Sequence, residues 1–311
     1  MKKLKVLKYA LHVAVLLGLA VAATKYINGG EFWKAIHRFN WLHAPLILAL
    51  SVAYVVVKGW RFVFLLRQLT NANRWVVLRA YIAGQACTLL PGGIAARAAL
   101  LEQVNVPIAD SAAAIALSSL SDQVLLIICS LLAALWFEAA RKPVLILLSG
   151  LLVLSLLLGA QATRMWLLRV VEKLLGTLHL LDYWKGFLDS MKQLATVPIL
   201  LGGLGNTALS FMLMVWALDL SVRGVGAQAS PLTLLLAFTL PSLLGRISAM
   251  PGGVGVTEAG MVGILDAAPN VTLDQAAAAV TIFRIGTTLF AAIFGGLVYF
   301  LSWRPTADAA Q

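Results

Sequence analysis

Apolar residues run along this chain in long blocks, with polar residues gathered between them and at two internal breaks. The blocks fall at about 9–28, 42–66, 76–104, 111–138, 143–160, 198–222, 231–266 and 275–302. Six of these eight blocks read as single helices able to cross a hydrocarbon core of about 30 Å. The other two, 76–104 and 231–266, are interrupted at Pro91-Gly92-Gly93 and Pro251-Gly252-Gly253, with Gly255 extending the second break. Proline removes a backbone donor and glycine opens positive φ, so each break reads as a sharp turn between two half-helices. Backbone freed at such a turn survives at membrane depth only under cover of protein or water.

Basic residues orient these elements. If both broken segments return to the side they entered, the inner side collects Lys2, Lys3, Lys5, Lys8, Arg67, Arg74, Arg79 and Arg304. It also collects the 161–197 stretch with Arg164, Arg169, Lys173, Lys185 and Lys192. The outer side keeps Lys25, Lys34, Arg38, Arg141, Lys142 and Arg223. Single crossings by the two broken segments would put 161–197 outside, against the positive-inside tendency. The expected fold is therefore an all-α polytopic membrane protein, one integral membrane domain over 1–311. It has about six transmembrane helices and two re-entrant helical hairpins, with both termini cytoplasmic. The block 9–28 with its basic lead reads as a retained signal anchor. Residues 161–197 read as a cytoplasmic amphipathic loop, lying on the membrane or capping the bundle ends.

The two breaks also look like copies of one another. Leu90-Pro91-Gly92-Gly93 and Met250-Pro251-Gly252-Gly253 share their apolar surroundings, and each is followed by an alanine-rich helix, from Asp110 and from Asp274. Two matches in the same order argue for a repeat, one copy at about 76–138 and the other at about 231–302. Three expected spans separate the hairpins, so the second copy is inverted. Inverted repeats with broken helices are a recurring transporter design, with the substrate held between the halves. A duplicated bundle whose glycines only permit tight packing is the alternative.

Composition narrows the field. Hydrophobic residues make up 61% and charged residues 12%, where soluble domains carry about 45–50% and about 25%. A soluble enzyme, a disordered chain and a disulfide scaffold are excluded. The net charge of +11 is scattered over loops, which fits membrane topology and anionic headgroups better than nucleic acid. Cys87 and Cys129 lie in apolar blocks and read as packing thiols. His12, His37, His43 and His179 show no ligand spacing, so neither a metal site nor a cofactor is expected. No Walker A, H-E-x-x-H, G-x-S-x-G or G-x-G-x-x-G motif occurs, so no catalytic residues are assigned and a transporter is expected rather than an enzyme.

Charges inside the apolar blocks are costly and tend to face cavities or partners. Asp122 lies mid-block with Ser118 on its face, and Arg284 lies mid-block with Thr281, Thr287 and Thr288 around it. Arg97, Arg246 and Glu258 flank the breaks. A Gly-Gly turn before a half-helix offers free N–H groups and a positive dipole end, a seat for phosphate. Arg97 would add a cation to the first seat, and Glu258 would cap the second helix start or pair with Arg246 or Arg284. A carboxylate and an arginine beside one cavity suit a zwitterionic or amine-bearing headgroup. The alternative is a set of salt bridges that fix the bundle. Lys58 and Arg61, near the inner end of their block, read as snorkelling side chains.

At Pro251-Gly252-Gly253-Val254-Gly255-Val256-Thr257-Glu258 the sequence resembles the transmembrane region of lysylphosphatidylglycerol synthases, a flippase-like domain with a Pro-Gly-Gly-x-Gly-x-x-Glu signature. Arg284 matches an arginine of the following helix, Leu90, Pro91 and Arg97 an earlier motif, and Asp122 an acidic residue after it. The resemblance spans roughly 40–300 and departs at Ala95-Ala96, where many members have glycine and an acidic residue. It implies lipid handling. With the chain ending at Gln311, the expectation is a stand-alone member without the aminoacyl transfer domain. The expected function is a flippase or transporter of a phospholipid or polyprenyl-type headgroup across the bacterial inner membrane. The alternative is a non-transporting, lipid-binding subunit that scaffolds a lipid-modifying enzyme partner.

Overall fold

The computed structural model describes residues 29–88, 93, 95–135, 141–142, 145–146, 149–150, 161–177, 181–248 and 250–303. The block 9–28, most of 143–160, and the turn residues Pro91 and Gly92 lie outside the described residues.

Twelve helical stretches organise what is described: α1 (Gly29–His37), α2 (Ala44–Leu66), α3 (Arg74–Ala83), α4 (Ala95–Glu102), α5 (Ile108–Ala134) and α6 (Gln161–Thr177) in the first half. The second half holds α7 (Leu181–Leu194), α8 (Val197–Gly224), α9 (Pro231–Ile247), α10 (Val256–Asp266), α11 (Leu273–Arg284) and α12 (Phe290–Ser302). Among the described residues, Trp41–Leu66, Ile108–Ala134, Val197–Gly224 and Leu273–Ser302 are long and apolar enough to cross a membrane. They correspond to four of the six single-helix blocks read from the sequence. The 161–197 stretch is divided into α6 and α7, and Ser190 of α7 docks on α5 by donating to Asp110 at 2.6 Å.

Local chemistry sets the boundaries. Ser230 caps α9 by accepting from the Thr233 N–H, and Thr272 and Gln275 form a reciprocal capping box at the start of α11. Between α11 and α12, Ile285–Leu289 winds as a π-helical turn, and the Ser51 hydroxyl donates to the Thr287 carbonyl at 3.3 Å.

Helix directions follow from specific contacts. Arg61 of α2 reaches Thr207 of α8, while Phe39 before α2 lies against Gly224 at the end of α8, so α2 and α8 are antiparallel. Arg246 near the end of α9 reaches Asp122 of α5, while Leu236 and Leu240 pack with Ala133 and Ala134, so α5 and α9 are also antiparallel. α9 folds back onto α10 through Pro251–Gly253. Gly252 and Gly253 adopt φ of 62° and 69°, a conformation L-residues avoid, and a Cβ on Gly253 would stand 3.2 Å from the Gly245 Cα. In the first half, Arg97 at the start of α4 lies across Gly84 and Tyr81 at the end of α3, so the two helices meet at these ends. α12 presses on the end of α3 at Gly295, where a Cβ would stand 2.6 Å from the Ile82 carbonyl oxygen and 2.7 Å from the Ala86 nitrogen.

The buried side chains form two main cores. One joins Ile47 and Leu50 of α2 to Phe211 and Leu218 of α8, Phe238 of α9, Met261 of α10 and Phe283 of α11. The other joins Phe62, Val63 and Leu66 of α2 to Val77 and Tyr81 of α3, Leu101 of α4 and Leu117 of α5. Helix α2 passes through both cores, and Tyr54 packs against each.

Candidate headgroup site

The seam at which the two cores meet on α2 is polar. Ser51, Tyr54, Lys58 and Arg61 recur at helical spacing on one face of an otherwise apolar helix. Lys58 and Arg61 do not snorkel to water; they are 8% and 2% exposed and both turn onto Asp122 of α5. Lys58 Nζ lies 2.7 Å from one carboxylate oxygen and Arg61 Nη1 2.7 Å from the other. Snorkelling fails here because the C-terminal half of α2 is wrapped by α3, α5 and α8, leaving no path for the side chains to solvent.

Three more groups complete the cluster. The Thr207 hydroxyl of α8 accepts from Arg61 and donates to the Gly203 carbonyl at 2.9 Å. The Tyr54 hydroxyl accepts from Lys58 at 3.2 Å. Arg246, in the last turn of α9, reaches the same Asp122 oxygen as Lys58 at the longer distance of 3.3 Å. Its side chain is 37% exposed, so Arg246 is the arm of the cluster that faces outward. Arg61 Nε is buried and has no hydrogen-bond partner. One carboxylate therefore meets three cations, in a setting where uncompensated charge is expensive.

Glu258 and Arg284 form a different arrangement. Glu258 accepts from the Gly255 N–H at 2.6 Å, capping α10, and pairs with Arg284 Nε at 2.5 Å. Arg284 also donates to the Gly252 carbonyl at 3.4 Å. Of the two partners the sequence offered Glu258, the structure selects Arg284; Arg246 goes to Asp122. The positive end of α10, read from the sequence as a phosphate seat, is thus occupied by the chain's own carboxylate. Thr281 and Thr287 donate to carbonyls of their own helix, Ala277 and Phe283, and do not extend a polar stripe around Arg284.

Arg97 stands apart from both groups. Its guanidinium lies 4.2 Å from the centre of the Tyr81 ring, and its buried Nε has no hydrogen-bond partner. Tyr81 in turn packs against Gly59, the residue after Lys58. Of the five charged residues singled out in the sequence, the structure joins Asp122 with Arg246 and Glu258 with Arg284, and leaves Arg97 on its tyrosine. Lys58, Arg61 and Thr207 are the additions. The spacing of Ser51, Tyr54, Lys58 and Arg61 was the signal available for the first two.

An apolar cavity of about 450 Å³ opens between α5, α8 and α9. Its lining runs from Leu125, about one helical turn past Asp122, and Ala208, the residue after Thr207, to Asp219 and Arg223. Among the described residues, no group of three His, Cys, Asp or Glu side chains gathers to hold a metal ion.

Membrane-length helices wrapped around a buried ionic cluster define a helical membrane protein with a charged site between its two cores. The sequence profile described as the lysylphosphatidylglycerol synthase TM region matches residues 9–295, and the chain belongs to that family, a membrane region tied to lipid-related function. No curated protein matches the sequence.

Proposed function

We propose that this protein moves a phosphate-bearing lipid headgroup across the bacterial inner membrane, and that it is a transporter rather than an enzyme. The observation that carries the reading is the excess of cations around Asp122 among helices of membrane length. A surplus of buried charge is costly unless a partner compensates it, and charges at membrane depth tend to mark functional sites. An anionic headgroup supplies the missing negative charge, with Arg246 as the exposed point of contact.

The hairpins suit such a path. In our reading both are re-entrant and related as inverted repeats. The α9–α10 hairpin belongs to the end of the bundle where α5 and α8 finish, and α3–α4 to the end where they start. Each then brings an arginine toward the centre from its own side, Arg97 from one and Arg246 from the other. The apolar cavity beside α5, α8 and α9 offers an acyl chain a place next to the same helices. Membrane lipids are the proposed partners, and Glu258 with Arg284 holds the turn that carries Arg246.

Reconstitution into vesicles with a fluorescent phospholipid, followed by bleaching from one side, tests this. Transport by the wild type that falls at least about tenfold in Arg246→Gln supports the reading. A protein that binds lipid, moves none and holds a stoichiometric lipid-modifying enzyme would instead be a scaffold. Met165, Trp166 and Val170, exposed on α6, give that second reading its surface.

A further inference from the structure

We infer that the Asp122 site selects a doubly charged phosphate, the phosphomonoester end of a lipid, over a phosphodiester headgroup. The inference rests on the reading that this site holds a lipid headgroup, and it narrows the chemical class of that lipid.

The argument is a charge count. Lys58, Arg61 and Arg246 bring three positive charges to Asp122, which brings one negative charge. Glu258, on the same hairpin as Arg246, is committed to Arg284 and to the Gly255 N–H. The surplus at the site is therefore two positive charges. A phosphodiester lipid brings one negative charge, and a zwitterionic headgroup brings none in net. A phosphomonoester carries about −1.5 to −2 near pH 7 and presents three acceptor oxygens. Only the last class neutralises the surplus.

Geometry shows how it would enter without dismantling the cluster. The Lys58 and Arg61 contacts to Asp122 are 2.7 Å, whereas that of Arg246 is 3.3 Å and lies at the exposed edge. An incoming phosphate takes Arg246 from Asp122 and leaves the two short pairs intact. Arg61 Nε, buried without a partner, and Lys58, whose other acceptor is the neutral Tyr54 hydroxyl at 3.2 Å, have unused capacity behind it.

The test is native mass spectrometry of the full chain in detergent, titrated with phosphatidic acid and phosphatidylglycerol of matched chains. Near pH 8 phosphatidic acid should bind at least about tenfold more tightly, and near pH 5, where the phosphate regains a proton, the two should agree to within about threefold. Arg246→Gln should cut the preference near pH 8 to about threefold or less, because it removes one unit of the surplus. Arg246 is partly exposed, so this variant is expected to fold. If both lipids bind alike near pH 8 and both weaken in Arg246→Gln, the preference for a dianion is overturned while the headgroup site stands. If Arg246→Gln changes the binding of neither lipid, the headgroup site falls and this inference with it. A preference for phosphatidic acid that persists in Arg246→Gln places the selectivity elsewhere and also overturns the inference.

Discussion

The Glu258–Arg284 pair and the Asp122 cluster each draw one residue from the α9–α10 hairpin, yet they are built on opposite principles. The first sets one acid against one base, with both side chains part-exposed at 29% and 19%, and Glu258 also caps a helix. The second sets one acid against three bases, two of them almost fully buried, on three different helices, with Thr207 of a fourth accepting from Arg61. A balanced pair beside a turn holds the turn, and its charge is spent within the chain. An unbalanced cluster between two apolar cores carries a residual field, which makes it the better candidate for binding something from outside. The same comparison explains why a glycine turn before a helix was a weak guide to phosphate here: Glu258 already accepts from the Gly255 N–H at the helix start.

The contrast can be broken by substitution. The largest effect is expected from Asp122→Ala, which leaves Lys58 and Arg61 buried without their carboxylate and should cost about 3–5 kcal/mol in detergent unfolding. A loss below about 1 kcal/mol would mean that water or lipid already solvates these cations. Next comes Gly253→Ala in the turn. It forces a Cβ into positive φ and to 2.6 Å from Thr257 Oγ1, for an expected loss of about 2–4 kcal/mol by thermal unfolding. Thr207→Val removes an acceptor from Arg61 with little change of shape, and about 1–3 kcal/mol should be lost. Glu258→Gln is the mildest: the amide oxygen still caps Gly255 while the ion pair goes, so the change should stay near 1 kcal/mol or less. Chemical unfolding of Asp122→Ala and Glu258→Gln side by side gives the sharpest reading, since a similar loss in both would erase the distinction drawn between the two clusters.

Much of this architecture was legible in the chain. The helices Trp41–Leu66, Ile108–Ala134, Val197–Gly224 and Leu273–Ser302 fall where apolar blocks were read, because hydropathy over some twenty residues is a local property answered by one solvent, the bilayer. The hairpin at Gly252 and Gly253 was legible for a similar reason: positive φ is a demand of a few consecutive residues. Glu258 as cap and its pairing with Arg284 were among the options seen, since an acid three residues past a glycine turn has few other targets. Lys58 and Arg61 were misread as snorkelling, because position near a helix end says nothing about which neighbours close around it.

By itself, then, the sequence determined that the chain is helical and membrane-bound, where its helices break, and which charges lie within apolar segments. Those are consequences of composition and short-range pattern. Only the tertiary structure decided how the charges are shared. Asp122 draws its partners from 61, 64 and 124 residues away along the chain. Whether three cations reach one carboxylate or find acids of their own depends on how α2, α5, α8 and α9 pack, and on the cores on either side that leave those side chains nowhere else to go.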